Sequence, residues 1–189
     1  MSISILQLWL PIVLGTLLAW IASALIHMAL KYHNSDYKQL ANEDEVMKAI
    51  SDGSPSLGVH AMPFCVDLSK MKESAMQEKF NRGPVGFVTV MPSGMPQMGK
   101  PIIQQILYFL VGCFLIGYCA TLALAPGADY LSVFRFAAVV GFLTFGWGQI
   151  PFAIWYGHLW STSFKYLVDA LIYGLIVAGC FAWLWPSAA

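Results

Sequence analysis

Four apolar runs, each long enough to cross a lipid bilayer, constrain this chain more than any other feature of it. A hydrocarbon core about 30 Å thick takes roughly 20 helical residues to cross. The first run, residues 5–29, carries no charge, and at roughly 1.5 Å per residue its helix of about 37 Å is longer than that core. The second, residues 102–124, starts after Lys100-Pro101 and stops before the turn signal Ala125-Pro126-Gly127. The third, residues 131–154, is followed by Trp155, Tyr156 and Trp160, and the fourth, residues 164–184, ends in Trp183, Trp185 and Pro186. Aromatic residues at both ends suit the membrane interfaces. The predicted fold class is an all-α membrane protein: a four-helix transmembrane bundle with a small α-rich polar subdomain between helices one and two. The predicted division is 1–30 for the first helix, 31–101 for the polar subdomain and 102–189 for helices two to four.

Composition excludes a water-soluble fold. Hydrophobic residues make up 58% of the 189 positions and charged residues 11%, against roughly 45–50% and about 25% in soluble domains. Ten Lys and Arg balance ten Asp and Glu, so charge gives no reason to expect nucleic acid as a partner. Sixteen of those charges lie between Lys31 and Lys100, which leaves Asp129, Arg135, Lys165 and Asp169 for the rest. Three of the four cysteines sit in apolar runs and only Cys65 in the polar segment, so no disulfide framework can be read. Ala22-Ser23-Ala24 has the form of a signal-peptidase site. No Lys or Arg precedes the run, however, and it continues beyond the site, so an uncleaved anchor helix is predicted.

Lys31, Lys38, Lys100 and Lys165 gather at one side of the bundle and only Arg135 lies near a span start on the other. The basic side is therefore predicted to be cytoplasmic, with both termini outside. Each span carries small residues at intervals of four: Gly15, Ala19 and Ser23; Cys113, Gly117 and Thr121; Ala137 and Gly141; Ala170, Gly174 and Ala178. Such ladders let helix backbones approach closely, and tight packing within one subunit is predicted ahead of a dimer seam. In the polar segment, Asn42 is predicted to cap a short helix to about Ser51 with Glu45 reaching back to it. Residues 69–80 read as a second helix and residues 85–91 as a short extended run.

No HExxH pair, Walker ending or Gly-x-Ser-x-Gly elbow occurs. No enzyme signature and no cofactor is predicted. Polar side chains in the spans are expensive in lipid and are the natural place to look for function. His27, Gln149, His158, Lys165 and Asp169 all fall at the basic end. They define a candidate pocket for a proton or a small polar ligand, with Asp169 and His27 as a titratable pair. Lys165 and Asp169, four apart on one helix, are predicted to pair directly. The plainer reading, which the residues favour, is neutralisation of that pair at the interface while both histidines snorkel. Arg135 enters span three from the far side and is too distant to pair with Asp169. His27 and His33 are also set apart, because six residues on a continued helix rotate by about 600° and leave the rings about 120° apart.

A second candidate set is soft: His60, Met62 and Cys65 within six residues, and Met91, Met95 and Met98 within eight. Thioether, thiolate and imidazole together suit Cu(I). Methionine is also an adaptable packing residue, and packing is the preferred reading.

Gly141, Gly146, Pro151, Lys165, Asp169, Tyr173 and Gly179 give residues 121–185 a resemblance to the second half of a family of small uncharacterised bacterial four-span membrane proteins. Gly83-Pro84-Val85-Gly86-Phe87 is similar to polar segments of other bacterial inner-membrane proteins. Neither resemblance implies residue roles. The resulting expectation is a non-enzymatic accessory, scaffold or assembly protein of the cell (inner) membrane. Its partners would be the lipid bilayer and another membrane protein or a second copy. Small-solute or proton handling around Asp169 is the alternative.

Overall fold

The structure is a computed structural model that describes residues 3–187. Four helical segments are long and apolar enough to span a membrane: Ile5–Leu30, Gly99–Ala123, Tyr130–Trp155 and Trp160–Trp183. The chain divides into two compact units, one made of the four spans with the residues up to Tyr37, the other Lys38–Pro96. Residues 31–37 thus go with the helices, although their polarity places them with the intervening segment when the sequence is read alone.

The first span opens with a three-ten turn, Ile5–Leu8, capped by Ser4, whose backbone N–H donates to Gln7 in return (2.9 Å). It continues as α1 (Trp9–Ala24) and ends in a wider π turn, Leu25–Leu30. Lys31 then takes the left-handed conformation (φ 54°), and its N–H donates to the Ile26 carbonyl (3.2 Å). The second span is α4 (Gly99–Ala123). The third comprises α5 (Tyr130–Phe145), a three-ten turn Trp147–Gln149, and α6 (Ile150–Trp155) with Pro151 in its first turn, where the missing N–H costs nothing. Asp129 caps α5 by accepting from the Ser132 N–H (3.0 Å). The fourth span, α7 (Trp160–Trp183), begins four residues before the predicted start, since Trp160 to Ser163 carry no helix breaker. At the other end of the bundle, Gly127 N–H donates to the Pro186 carbonyl (2.8 Å) and Trp185 Nε1 to Ala125 (3.0 Å). These bonds tie the second connection to the end of α7.

The core is a set of small and aromatic residues from all four spans, among them Ala19, Phe109, Cys113, Val133, Val177 and Phe181. Leu17, Val111, Val139 and Leu171 face outward, as expected where the surroundings are as apolar as the interior. The small-residue ladders do their packing within the subunit. Gly141 and Gly174 bring the backbones of α5 and α7 together, Gly15 of α1 lies against Cys113 and Val177, and Gly117 of α4 against Phe181.

The polar unit is less purely helical than predicted. It holds α2 (Glu43–Asp52), α3 (Ser74–Arg82) and a two-stranded antiparallel sheet in which β1 (Gly58–Met62) pairs with β2 (Gly86–Val90), Gly58 opposite Val90 and Met62 opposite Gly86. The extended run at 85–91 is therefore a strand. Its partner at 58–62 is too short, and too interrupted by Gly and Ala, to show an alternating pattern. Asn42 stands at the start of α2 without a side-chain cap bond, and the second helix starts at Ser74, after a separate three-ten turn at Lys70–Lys72.

Candidate functional site

The site is built where the first span ends. A continued helix would hold His27 and His33 apart, but the π turn and the left-handed Lys31 reverse the chain. The following three-ten turn, Tyr32–Asp36, folds back against the bundle. Consequently the His27 and His33 rings lie stacked, centroids 4.8 Å apart and planes within 2°. The separation predicted from helical periodicity is corrected by this break. Tyr32 and Tyr166 flank the His33 ring at 4.5 and 4.7 Å.

His33 is buried and links two carboxylates: its Nδ1 lies 2.8 Å from Asp36 Oδ2 and its Nε2 2.9 Å from Asp169 Oδ2. Lys165 does not pair with Asp169 as its spacing predicts. Its Nζ donates to Asp36 Oδ1 (2.6 Å), Ser35 Oγ (2.7 Å) and the Tyr32 carbonyl (2.9 Å). The reason is geometric, because the reversed segment brings an acidic partner and a carbonyl to the lysine while the histidine takes the carboxylate one turn further along α7. Burial pushes the Asp36 carboxyl up, but the hydrogen bonds from Lys165 and His33 outweigh it and hold the group below its ordinary value.

Asp169 is 1% exposed and lies nine residues into α7. Its Oδ1 has no hydrogen-bond partner among the described residues. Beside it is a cavity of about 480 Å³, lined by Trp20, Ser23, His27, Gln149, Asp169 and Tyr173 among others. Of the five residues predicted for a polar pocket, His27, Gln149 and Asp169 line this cavity, and Lys165 belongs to the adjoining ion network. His158 is exposed and lines a different, smaller cavity of about 290 Å³ with Asp36 and Thr162. His27 Nδ1 lies 3.0 Å from the Ser23 carbonyl of its own helix.

His33 and Asp36 were not legible as site residues. The only sequence signal for them is a polar run, His33-Asn34-Ser35-Asp36, directly after an apolar span.

The soft candidate set does not come from one unit. Met98 goes with the helices and lines the larger cavity, whereas the other five lie in the polar unit. His60 sits on β1 with Nε2 2.8 Å from the Ser56 carbonyl, Cys65 donates to the Asp67 carbonyl (3.3 Å), and Met91 and Met95 are exposed. Among the described residues, the group of His, Cys, Asp or Glu side chains spaced for one ion is His27, His33 and Asp169, whose ligand atoms lie within 4.8 Å of one another.

In comparison with known proteins, no family model matches the chain, and neither a curated protein nor a solved structure matches it. The fold and this site therefore define the class: a helical bundle with four helices long and apolar enough to cross a membrane and a His–Asp–Lys network beside a cavity.

Proposed function

We propose that this chain is a multi-pass protein of the cell (inner) membrane that binds and handles a small cationic or hydrogen-bond-donating solute in the pocket around Asp169. The observation that carries this reading is the buried carboxylate with one oxygen bonded to His33 and the other unpaired beside a cavity. A buried unsatisfied acceptor costs about 1–3 kcal/mol, more when charged, and a donor from a bound solute offsets that cost. The basic residues Lys31, Lys38, Lys100 and Lys165 support a cytoplasmic polar unit with the termini outside.

The test is thermal unfolding of purified protein in detergent with ammonium, methylammonium, guanidinium and divalent cations as separate probes. At least one is expected to raise the midpoint of the wild type and to leave Asp169→Asn unmoved. Equal shifts in both proteins, or no shift with any probe, would end the reading.

A second reading, an accessory or assembly protein, is favoured by the exposed Phe64, Val66, Leu68 and Met95 of the polar unit, each more than 70% accessible. Affinity purification in detergent should then recover a fixed membrane partner, and recovery of the bare chain alone counts against it.

A further inference from the structure

We infer that the pocket is a binding site for a divalent first-row transition ion of the Zn²⁺ class, held by His27, His33 and Asp169. This rests on the solute-binding reading above and names its ligand. Three features of the geometry carry it. The first is proximity: one ligand atom from each side chain lies within 4.8 Å of the others. Ligands of a tetrahedral zinc ion, at about 2.0–2.1 Å from the metal, sit roughly 3.3 Å apart, so closure needs a movement of about 1.5 Å at most. His27 is the side chain free to make it. It is the exposed member of the three.

The second feature is orientation. His33 Nδ1 faces Asp36 and His27 Nδ1 faces the Ser23 carbonyl. Each ring therefore has its Nδ1–H anchored on an acceptor, which leaves both Nε2 atoms as the ligating nitrogens. Histidine ligands are held by such acceptors in metal sites, and an anchoring carboxylate makes the ring a better donor. Lys165 in turn fixes Asp36 at 2.6 Å. The third is the carboxylate itself, 1% exposed with Oδ1 unpartnered. A cation beside Oδ1 is a partner that none of the described residues supplies.

Donor chemistry selects the ion class. Two imidazoles and one carboxylate suit zinc and its neighbours in the first row, whereas magnesium and calcium take oxygen donors. Three protein ligands leave a fourth position open, and the cavity lined by His27 and Asp169 adjoins it. Binding replaces the proton between His33 Nε2 and Asp169 Oδ2 with the ion and releases that proton to solvent.

The test uses the full chain in detergent, stripped with a chelator and titrated with Co²⁺ alone, followed by Zn²⁺. The expected result is about one equivalent of Co²⁺ per chain with visible absorption of a low-coordinate site, displaced by Zn²⁺. His27→Gln, a change at an exposed side chain that leaves the core intact, and Asp169→Asn should each bind at least tenfold more weakly. Asp36→Asn, which weakens the anchor of His33 and the partner of Lys165 without touching a proposed ligand, should weaken binding by about 10–100-fold. Circular dichroism checks the helices of each variant, and if Asp169→Asn fails to fold, His27→Gln decides. Failure of the wild type to bind Co²⁺ overturns the inference, as does unchanged binding in His27→Gln or a loss confined to His60→Gln in the polar unit. If Co²⁺ fails while an organic cation still shifts the wild type and not Asp169→Asn, the solute-binding reading stands without the metal. If neither binds, both fall.

Discussion

Replacing Gly174 with Ala tests whether the bundle is set by backbone contact between α5 and α7. A Cβ at Gly174 would lie 2.9 Å from the Phe142 nitrogen and 3.2 Å from the Ala138 carbonyl oxygen, where ordinary contact begins at 3.4 Å. Both neighbours are backbone atoms and cannot rotate away, so the helices must separate by about 0.5 Å or more. Overpacking of this kind costs about 1–3 kcal/mol. Gly179 lies five residues further along the same helix, and a Cβ there meets nothing within 4 Å. Each substitution also gains up to about 1 kcal/mol of helix propensity, and that gain cancels in the comparison. Gly174→Ala should therefore unfold about 1–3 kcal/mol more easily than Gly179→Ala, read from denaturant midpoints by tryptophan fluorescence in mixed micelles. Gly141→Ala meets the Gly174 Cα at 2.9 Å, and one separation relieves both clashes. The double variant should accordingly lose less than the sum of its singles. Equal midpoints for Gly174→Ala and Gly179→Ala, or strict additivity at the contact, would refute the reasoning.

Further outcomes follow from the ion network. His33→Ala removes the shared partner of Asp36 and Asp169 and should destabilise the chain by about 3–5 kcal/mol, since breaking a buried pair leaves charge uncompensated; a loss under about 1 kcal/mol in the same unfolding assay would show that the pair is not structural. Asp36 should confer a pH dependence of definite sign. Its folded pKa lies below the ordinary 3.8, so its contribution is complete above the unfolded value and disappears as pH falls through the lower folded value. Unfolding midpoints of Asp36→Asn should vary less than those of the wild type below about pH 4, and parallel curves would contradict the assignment.

The spans were legible because hydrophobic length is a redundant signal that no single residue can spoil. Their ends were not: Trp160 to Ser163 extend α7 by one turn although their polarity is mixed. Asp169 and Lys165 stood out as the only charges in the last run, yet their partners did not. Spacing on one helix suggests that they meet, and only the position of residues 32–36 shows that each has a nearer partner. That position depends on a lysine adopting a conformation that favours glycine, which no periodicity announces. The same holds for the ladders. Gly141 and Gly174 each read as small interface residues, but which backbone meets which is a property of the folded bundle. His60 and Cys65 are close in sequence, yet among the described residues the His, Cys, Asp and Glu group spaced for an ion is His27, His33 and Asp169.

The reversal at Lys31 explains why the network exists. A left-handed non-glycine residue costs roughly 1–2 kcal/mol, a strain that α1 would avoid by ending in an ordinary cap. Without the reversal, His33 would not reach Asp169. An unpaired buried carboxylate nine residues into α7 costs more than the strain, about 3–5 kcal/mol by the measure of broken buried pairs. The fold thus offsets the larger penalty with the smaller one. It does so incompletely, because His33 satisfies Oδ2 and leaves Oδ1 without a partner among the described residues, in a side chain that lines the cavity. Had neutralisation been the only requirement, an apolar residue in place of Asp169 would remove both penalties at once. A buried carboxylate that is half-satisfied and belongs to the lining of a cavity is the arrangement expected where a cation completes the site.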